Sequence, residues 1–199
     1  MSDDVRYAAF LRAVNLGGKR KLPMALVREV LPAELGYAPV RTHIASGNIL
    51  FGVPAGSSAA GRQADPPEGT DAAAARHAAA IEEVLGRAAG FEVPTVVLTG
   101  AALAQVLAEE PYDPPVAKHV NVGLVQGTIT AQLRARAEAI EAKAVAGEGV
   151  SVGERAIYLH VPHSIHGSKL AAAYGRAAPE ATARNLATMR TMAQLLAKL

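Results

Sequence analysis

The sequence predicts an α+β protein of two sheet-and-helix halves. The first half carries the ferredoxin-like order β-α-β-β-α-β, and the second a related order, β-α-β-β-α-α. Three observations lead there. Short β-branched, apolar runs alternate with longer segments whose apolar residues recur at helical spacing. Hairpin signals fall inside each half, so the sheets are mixed or antiparallel rather than doubly wound. Half of the 199 residues are hydrophobic but only 4% are aromatic, so Ala, Val and Leu must fill the core between helix and sheet.

Val5–Val14 reads as a strand. Pro23 suits a first helical turn, and Met24, Val27, Val30 and Leu31 share a face, which predicts a helix over 23–35 with Gly36 placed to end it. Val40–Ala45 and Asn48–Val53 read as strands joined tightly at Ser46-Gly47. If Ile44 points inward, alternation sends Thr42 the same way and Arg41, His43 and Ala45 the other. Residues 54–70 are small, polar and rich in Pro and Gly, as expected of a flexible insertion. A helix follows over 71–89 with Ile81, Val84 and Leu85 inside, then a strand over 93–98. This delimits a first half at 1–98.

In the second half, 99–199, Thr99 can cap a helix at 100–109, and Pro111 to Pro115 is a stiff linker containing Tyr112-Asp113. A strand is expected over 119–125, a helix over 130–143, and a hairpin from 150–152 and 156–161. Helices at about 167–178 and 183–198 close the chain. No residue-level repeat accompanies the similar order of elements, and the halves are expected to share one compact unit.

Bulk properties remove several functions. There is no Cys, which excludes disulfides, thiolate catalysis and Cys-ligated zinc. A net charge of +2 is too weak to argue for nucleic acid. No run approaches the roughly 20 apolar residues of a membrane helix. The opening Met1-Ser2-Asp3-Asp4 lacks the basic-then-apolar pattern of a signal peptide. A soluble cytoplasmic protein without a membrane partner is therefore expected. Abundant Ala, and Arg in excess of Lys, suggest a GC-rich bacterial genome.

The chemistry-bearing stretch is Leu11–Met24. An apolar strand runs into Gly17 and Gly18, then Lys19, Arg20 and Lys21, then Pro23. It reads as a glycine loop feeding a helix N-terminus, the way backbone anion sites are built. It matches neither Gly-x-x-x-x-Gly-Lys-Ser/Thr nor Gly-x-Gly-x-x-Gly, so it is not a known nucleotide loop. The alternative is a plain turn with solvated cations, in which Asn15 ties the loop down. Ser46, Gly47 and Asn48 either join that site or serve their own turn. Near the C-terminus stand Lys169, Arg184 and Asn185. In the first turn of a last helix, Arg184 opposes the helix dipole and needs a carboxylate or bound anion as partner. His160, His163 and His166 lie three apart, but Pro162 and the missing Glu-bearing motif speak against zinc. Gly149-Val150-Ser151-Val152-Gly153 meets the Gly-x-Ser-x-Gly spacing only within the expected hairpin, not at a strand-to-helix elbow, and His-Glu-x-x-His does not occur, so no catalytic residue can be named and whether the protein is an enzyme stays open. No metal site or cofactor is expected.

With Arg12, Ala13, Val14, Asn15, Leu16, Gly17 and Gly18, then Pro23-Met24 and Ser46-Gly47-Asn48, the chain resembles the DUF1697 family, a domain of unknown function. The family pattern near the C-terminus reads Thr-Ala-Arg-Asn-Trp-Asn-Thr. Thr182, Ala183, Arg184, Asn185 and Thr188 follow it, while Leu186 and Ala187 replace the Trp and second Asn. The resemblance implies compact ferredoxin-like halves and brings no established activity. It also implies that Arg12, Asn15, Gly17, Gly18, Lys19, Ser46, Gly47, Asn48, Lys169, Arg184 and Asn185 form one polar surface. Three functions follow: a module for a phosphate-bearing or other anionic small molecule, a nucleic-acid binder, or a protein-interaction module whose polar residues only hold turns.

Overall fold

A computed structural model describes residues 5–54 and 67–199. The chain divides into two compact units, Met1–Leu103 with Met192–Leu199, and Ala104–Thr191.

The first unit contains β1 (Val5–Leu11), α1 (Met24–Leu35), β2 (Val40–His43), β3 (Asn48–Val53), α2 (Asp71–Ala89) and β4 (Thr95–Thr99). Its antiparallel sheet has the order β2-β3-β1-β4. Ala9 stands opposite Ile49 on one side and Val97 on the other. All three join the core formed with Val27 and Leu31 of α1 and Ile81, Val84 and Leu85 of α2. Ala8, Phe10 and Leu50, on the alternate face, are buried as well, so β1 and β3 read as nearly continuous apolar runs. Both helices have clear ends. Pro23 precedes α1, and Gly36 closes it in the left-handed region at φ 67°. The Thr70 hydroxyl caps α2 by accepting from Ala73 N.

α3 (Gly100–Ala108) begins as expected, with the Thr99 hydroxyl accepting from Ala102 N at 3.0 Å.

The second unit holds β5 (Val120–Leu124), α4 (Ala131–Ala139), β6 (Gly149–Val152), β7 (Ala156–His160), α5 (Lys169–Ala177), β8 (Thr182–Asn185) and the start of α6 (Leu186–Leu196). Its antiparallel sheet runs β6-β7-β5-β8, the same order as the first with each strand in its corresponding place.

β8 corrects the predicted sequence of elements. Residues 182–185 were expected to lead into or belong to the last helix, but they pair with β5, Gly123 opposite Ala183 and Leu124 opposite Thr182. Asn185 then stops the helix from extending backward, because its side-chain oxygen accepts from Thr188 N at 2.8 Å. The ladder to β5 satisfies backbone groups that a longer helix would have satisfied internally. Both halves therefore carry the complete β-α-β-β-α-β order, a repeated ferredoxin-like arrangement.

Most of the expected insertion at 54–70 lies outside the described residues. Its last part, 67–70, is pinned through Glu68 and Thr70.

Candidate functional site

β1 ends where Leu11 N donates to Gly47 O and Arg12 N donates to Pro94 O, both at 2.8 Å. Beyond it the backbone turns left-handed at Ala13, Asn15, Gly17, Gly18 and Arg20. Asn15 N donates to Arg20 O at 3.1 Å, and Lys19 N to Leu16 O at 3.0 Å. Gly17 and Gly18, at φ 55° and 75°, are thus the two-residue tip of a small hairpin. This differs from the predicted loop opening directly into a helix. Buried Leu22 and then Pro23 separate the tip from α1, so the glycine amides are not the first donors of that helix. They are uncovered instead. A Cβ at either glycine would meet nothing within 4 Å, and no described residue accepts from either N–H.

Asn15 holds this hairpin to the β2–β3 turn. Its amide donates to Leu22 O at 2.9 Å and Ala45 O at 2.7 Å, and its oxygen accepts from Leu22 N at 2.8 Å. Both amide protons are spent on the chain itself. Buried Asn48 donates to His43 O at 3.1 Å and Ser46 Oγ at 3.0 Å. Gly47 is buried at φ 79°, and a Cβ there would lie 2.7 Å from Leu11 Cβ and 2.9 Å from Val14 Cγ2. These residues build the turn against β1. Of the first unit's candidates, Gly17, Gly18 and Lys19 are exposed, and Arg12, Asn15 and Ser46 are partly so. Ile44 points outward, so the alternation that would follow from an inward Ile44 does not hold. It leaves the strand at φ 52° and is 54% exposed.

Lys19 and Lys21 are exposed, while Arg20 lies 5.0 Å from the Phe91 ring centre and donates to Glu92 O. The sequence has no Asp or Glu from 5 to 28 or from 37 to 54, so loop and turn are both free of acidic residues.

Lys169, Arg184 and Asn185 belong to the second unit. Lys169 is the exposed first residue of α5, next to the Ser168 cap. Arg184 stands in β8 rather than in a helical turn, and its guanidinium donates to Ala183 O at 2.8 Å. Burial pulls that group down to about 10, which leaves it charged at neutral pH. Asn185 is the α6 cap described above. His160 stacks on Tyr112 with ring centres 5.0 Å apart, and His163 and His166 are exposed. Among the described residues, no three His, Asp or Glu side chains gather as metal ligands.

Sequence reasoning missed a buried polar chain in the first unit. The Tyr37 hydroxyl meets His77 Nδ1 at 2.6 Å, and His77 Nε2 meets Glu68 Oε2 at 2.8 Å. The same carboxylate accepts from the Tyr7 hydroxyl at 2.6 Å and from Arg76, while Gly69 N donates to Tyr7 Oη at 2.7 Å. Glu68 can only accept, so Nε2 carries the ring proton and Nδ1 accepts from Tyr37. Burial holds His77 below its ordinary range despite the bond to Glu68. Burial pushes the Glu68 carboxyl up, but hydrogen bonds from His77 and Tyr7 and the charges around it outweigh that and hold it low. One signal was readable: His77 shares the apolar face of Ala74, Ala78, Ile81 and Leu85, where a polar residue needs partners. Tyr7, Tyr37 and His77 are buried, while the Glu68 and Arg76 ends of the chain of groups are partly exposed.

A family model described as a protein of unknown function, DUF1697, matches residues 5–65 and 68–158. The chain belongs to the DUF1697 family. The DUF1697 match takes in the Gly17–Gly18 hairpin and the 44–47 turn and ends before Lys169, Arg184 and Asn185. Among solved structures, the chain is similar to the conserved bacterial protein SP0830 from Streptococcus pneumoniae. The identity is 19% over 98% of this chain and 99% of that one, with a TM-score of 0.66, so the two share a fold. No curated protein matches this DUF1697 chain.

Proposed function

We propose that this DUF1697 protein binds a phosphate-bearing or other anionic small molecule at the β1–α1 hairpin. The observation that carries the reading is the pair of uncovered Gly17 and Gly18 amides, without a described acceptor, in a segment that has no acidic residue. Backbone N–H groups that neighbouring oxygens leave unclaimed suit anion oxygens. Lys19 adds a mobile point charge, and Arg12 a planar guanidinium suited to bidentate contact. Asn15, Ser46, Gly47 and Asn48 act one step back: they hold the hairpin and the turn so that the tip amides stay presented.

The test is an NMR titration of the full chain with inorganic pyrophosphate at low salt. The expected result is saturable shifts at the Gly17 and Gly18 amides. Lys19→Ala should weaken binding by about 1.5–3 kcal/mol, the worth of one charged hydrogen bond. A melting temperature that rises with pyrophosphate concentration would accompany it, since selective binding to the folded state stabilises it. Unmoved tip amides at saturating pyrophosphate would refute the proposal.

A further inference from the structure

Two exposed aliphatic side chains stand beside the proposed anion site, and a single phosphate gives them nothing to do. Leu16 is 64% exposed and Ile44 54% exposed. The bond from Asn15 Nδ2 to Ala45 O, at 2.7 Å, ties together the chain neighbours of these two residues. Ile44 is β-branched yet holds a left-handed backbone at φ 52°, a state such residues avoid and one that turn chemistry would give to Gly or Asn. The strain is not offset by burial of its side chain. Strain of this kind at an exposed tip points to a contact outside the chain.

The two segments that carry the pair hold several exposed cations. Lys19 and Lys21 on the hairpin and Arg41 on β2 are exposed, and neither segment carries an acidic residue. The surface thus combines several cations, two uncovered amides and an apolar pair. Single-stranded nucleic acid joins matching features in each repeating unit, a phosphate next to a flat apolar base whose faces are open. A duplex hides those faces. No aromatic residue lies in either loop, so the apolar contact available to a base is Leu16 and Ile44.

We infer that the β1–α1 hairpin and the β2–β3 turn together bind single-stranded nucleic acid, with phosphates at the Gly17–Gly18 tip and lysines and a base against Leu16 and Ile44. This rests on the anion-binding reading of the same tip and takes the anion to be the phosphates of a nucleic-acid strand rather than a free small molecule.

The test measures fluorescence anisotropy of a short labelled single-stranded RNA with the full chain over a range of salt, beside the pyrophosphate titration. Binding is expected at low salt, with log K falling against log salt at a slope of about −2 for three phosphate contacts, and Lys19→Ala lowering that slope by about 0.7. Ile44→Asn separates a binding role from a structural one. Asn tolerates the left-handed backbone, so the variant should melt higher than the parent while binding RNA roughly tenfold more weakly. Leu16→Ala should weaken binding without changing the salt slope.

RNA binding unaffected by both Ile44→Asn and Leu16→Ala would overturn the inference. So would RNA failing to bind while pyrophosphate still shifts the tip amides, a result that leaves the small-anion proposal standing. Silence from both probes would remove both readings. Polyglutamate or phosphatidylserine vesicles competing as well as RNA would also overturn the nucleic-acid assignment.

Discussion

Acid should destabilise this protein through His77 before it acts through Glu68. The ring is 1% exposed and neutral, held between the Tyr37 hydroxyl at 2.6 Å and Glu68 at 2.8 Å, with Tyr7 and Arg76 on the same carboxylate. In the unfolded chain His77 takes up a proton near its ordinary 6.5, and in the folded protein only at lower pH. Between those points the unfolded state binds one more proton, so its free energy falls relative to the folded state as pH drops. The contribution is present above 6.5 and is lost by up to about 1.4 kcal/mol per pH unit as pH falls toward the folded value. Glu68 has the same sign and adds its loss below its ordinary 4.5. The assay is urea unfolding at pH 7.5, 6 and 5 for the parent and His77→Phe, with the difference between them isolating this ring from the other histidines. His77→Phe is expected to be less stable at pH 7.5 by roughly 1–3 kcal/mol, because the Tyr37 hydroxyl and Glu68 each lose a partner. That gap should narrow as pH falls. If His77→Phe does not fold, Glu68→Gln keeps the ring and, with the urea series extended to pH 4, should lose the added decline below 4.5. A gap that stays constant from pH 7.5 to 5 would refute a buried neutral His77.

Gly47→Ala should destabilise by about 2 kcal/mol or more, since it adds a Cβ within 3 Å of Leu11 and Val14 at a left-handed position; thermal unfolding reads the loss, whereas Gly17→Ala and Gly18→Ala meet no such contact and should cost only the backbone strain of about 1 kcal/mol. Asn15→Ala removes three hydrogen bonds between the hairpin, Leu22 and Ala45, and is expected to cost roughly 1–3 kcal/mol and to speed amide exchange at Leu22. Tyr174→Phe should be neutral or stabilising by about 1 kcal/mol in chemical denaturation, because the buried hydroxyl has no hydrogen-bond partner among the described residues.

Much of the fold was legible because its signals are local. The face of Val27 and Leu31, the left-handed stop at Gly36, the Thr99 cap and the apolar runs of β1 and β3 each depend on residues a few positions apart. The strand at 182–185 was not legible. Its four residues carry no alternation of their own, and only the ladder to β5 makes them a strand. The insertion was misjudged at its end for a similar reason. Pro67–Thr70 looks like loop composition, but Glu68 is drawn in by His77, nine residues on, and by Tyr7, sixty-one residues away.

By itself the sequence determined the family, the α+β class, the chain order of nearly all elements and a cationic segment without acidic residues around Gly17 and Gly18. These follow from composition, periodicity and short motifs, which need no knowledge of distant neighbours. Tertiary structure alone decided which polar residues face solvent and which are consumed inside. Asn15 and Asn48 turn out to be bound to backbone and to Ser46, Ile44 is turned outward, and the tip amides are left uncovered. The physical reason is that a hydrogen-bonding group becomes a binding group only if no nearer partner claims it, and nearness in space is set by the folded chain.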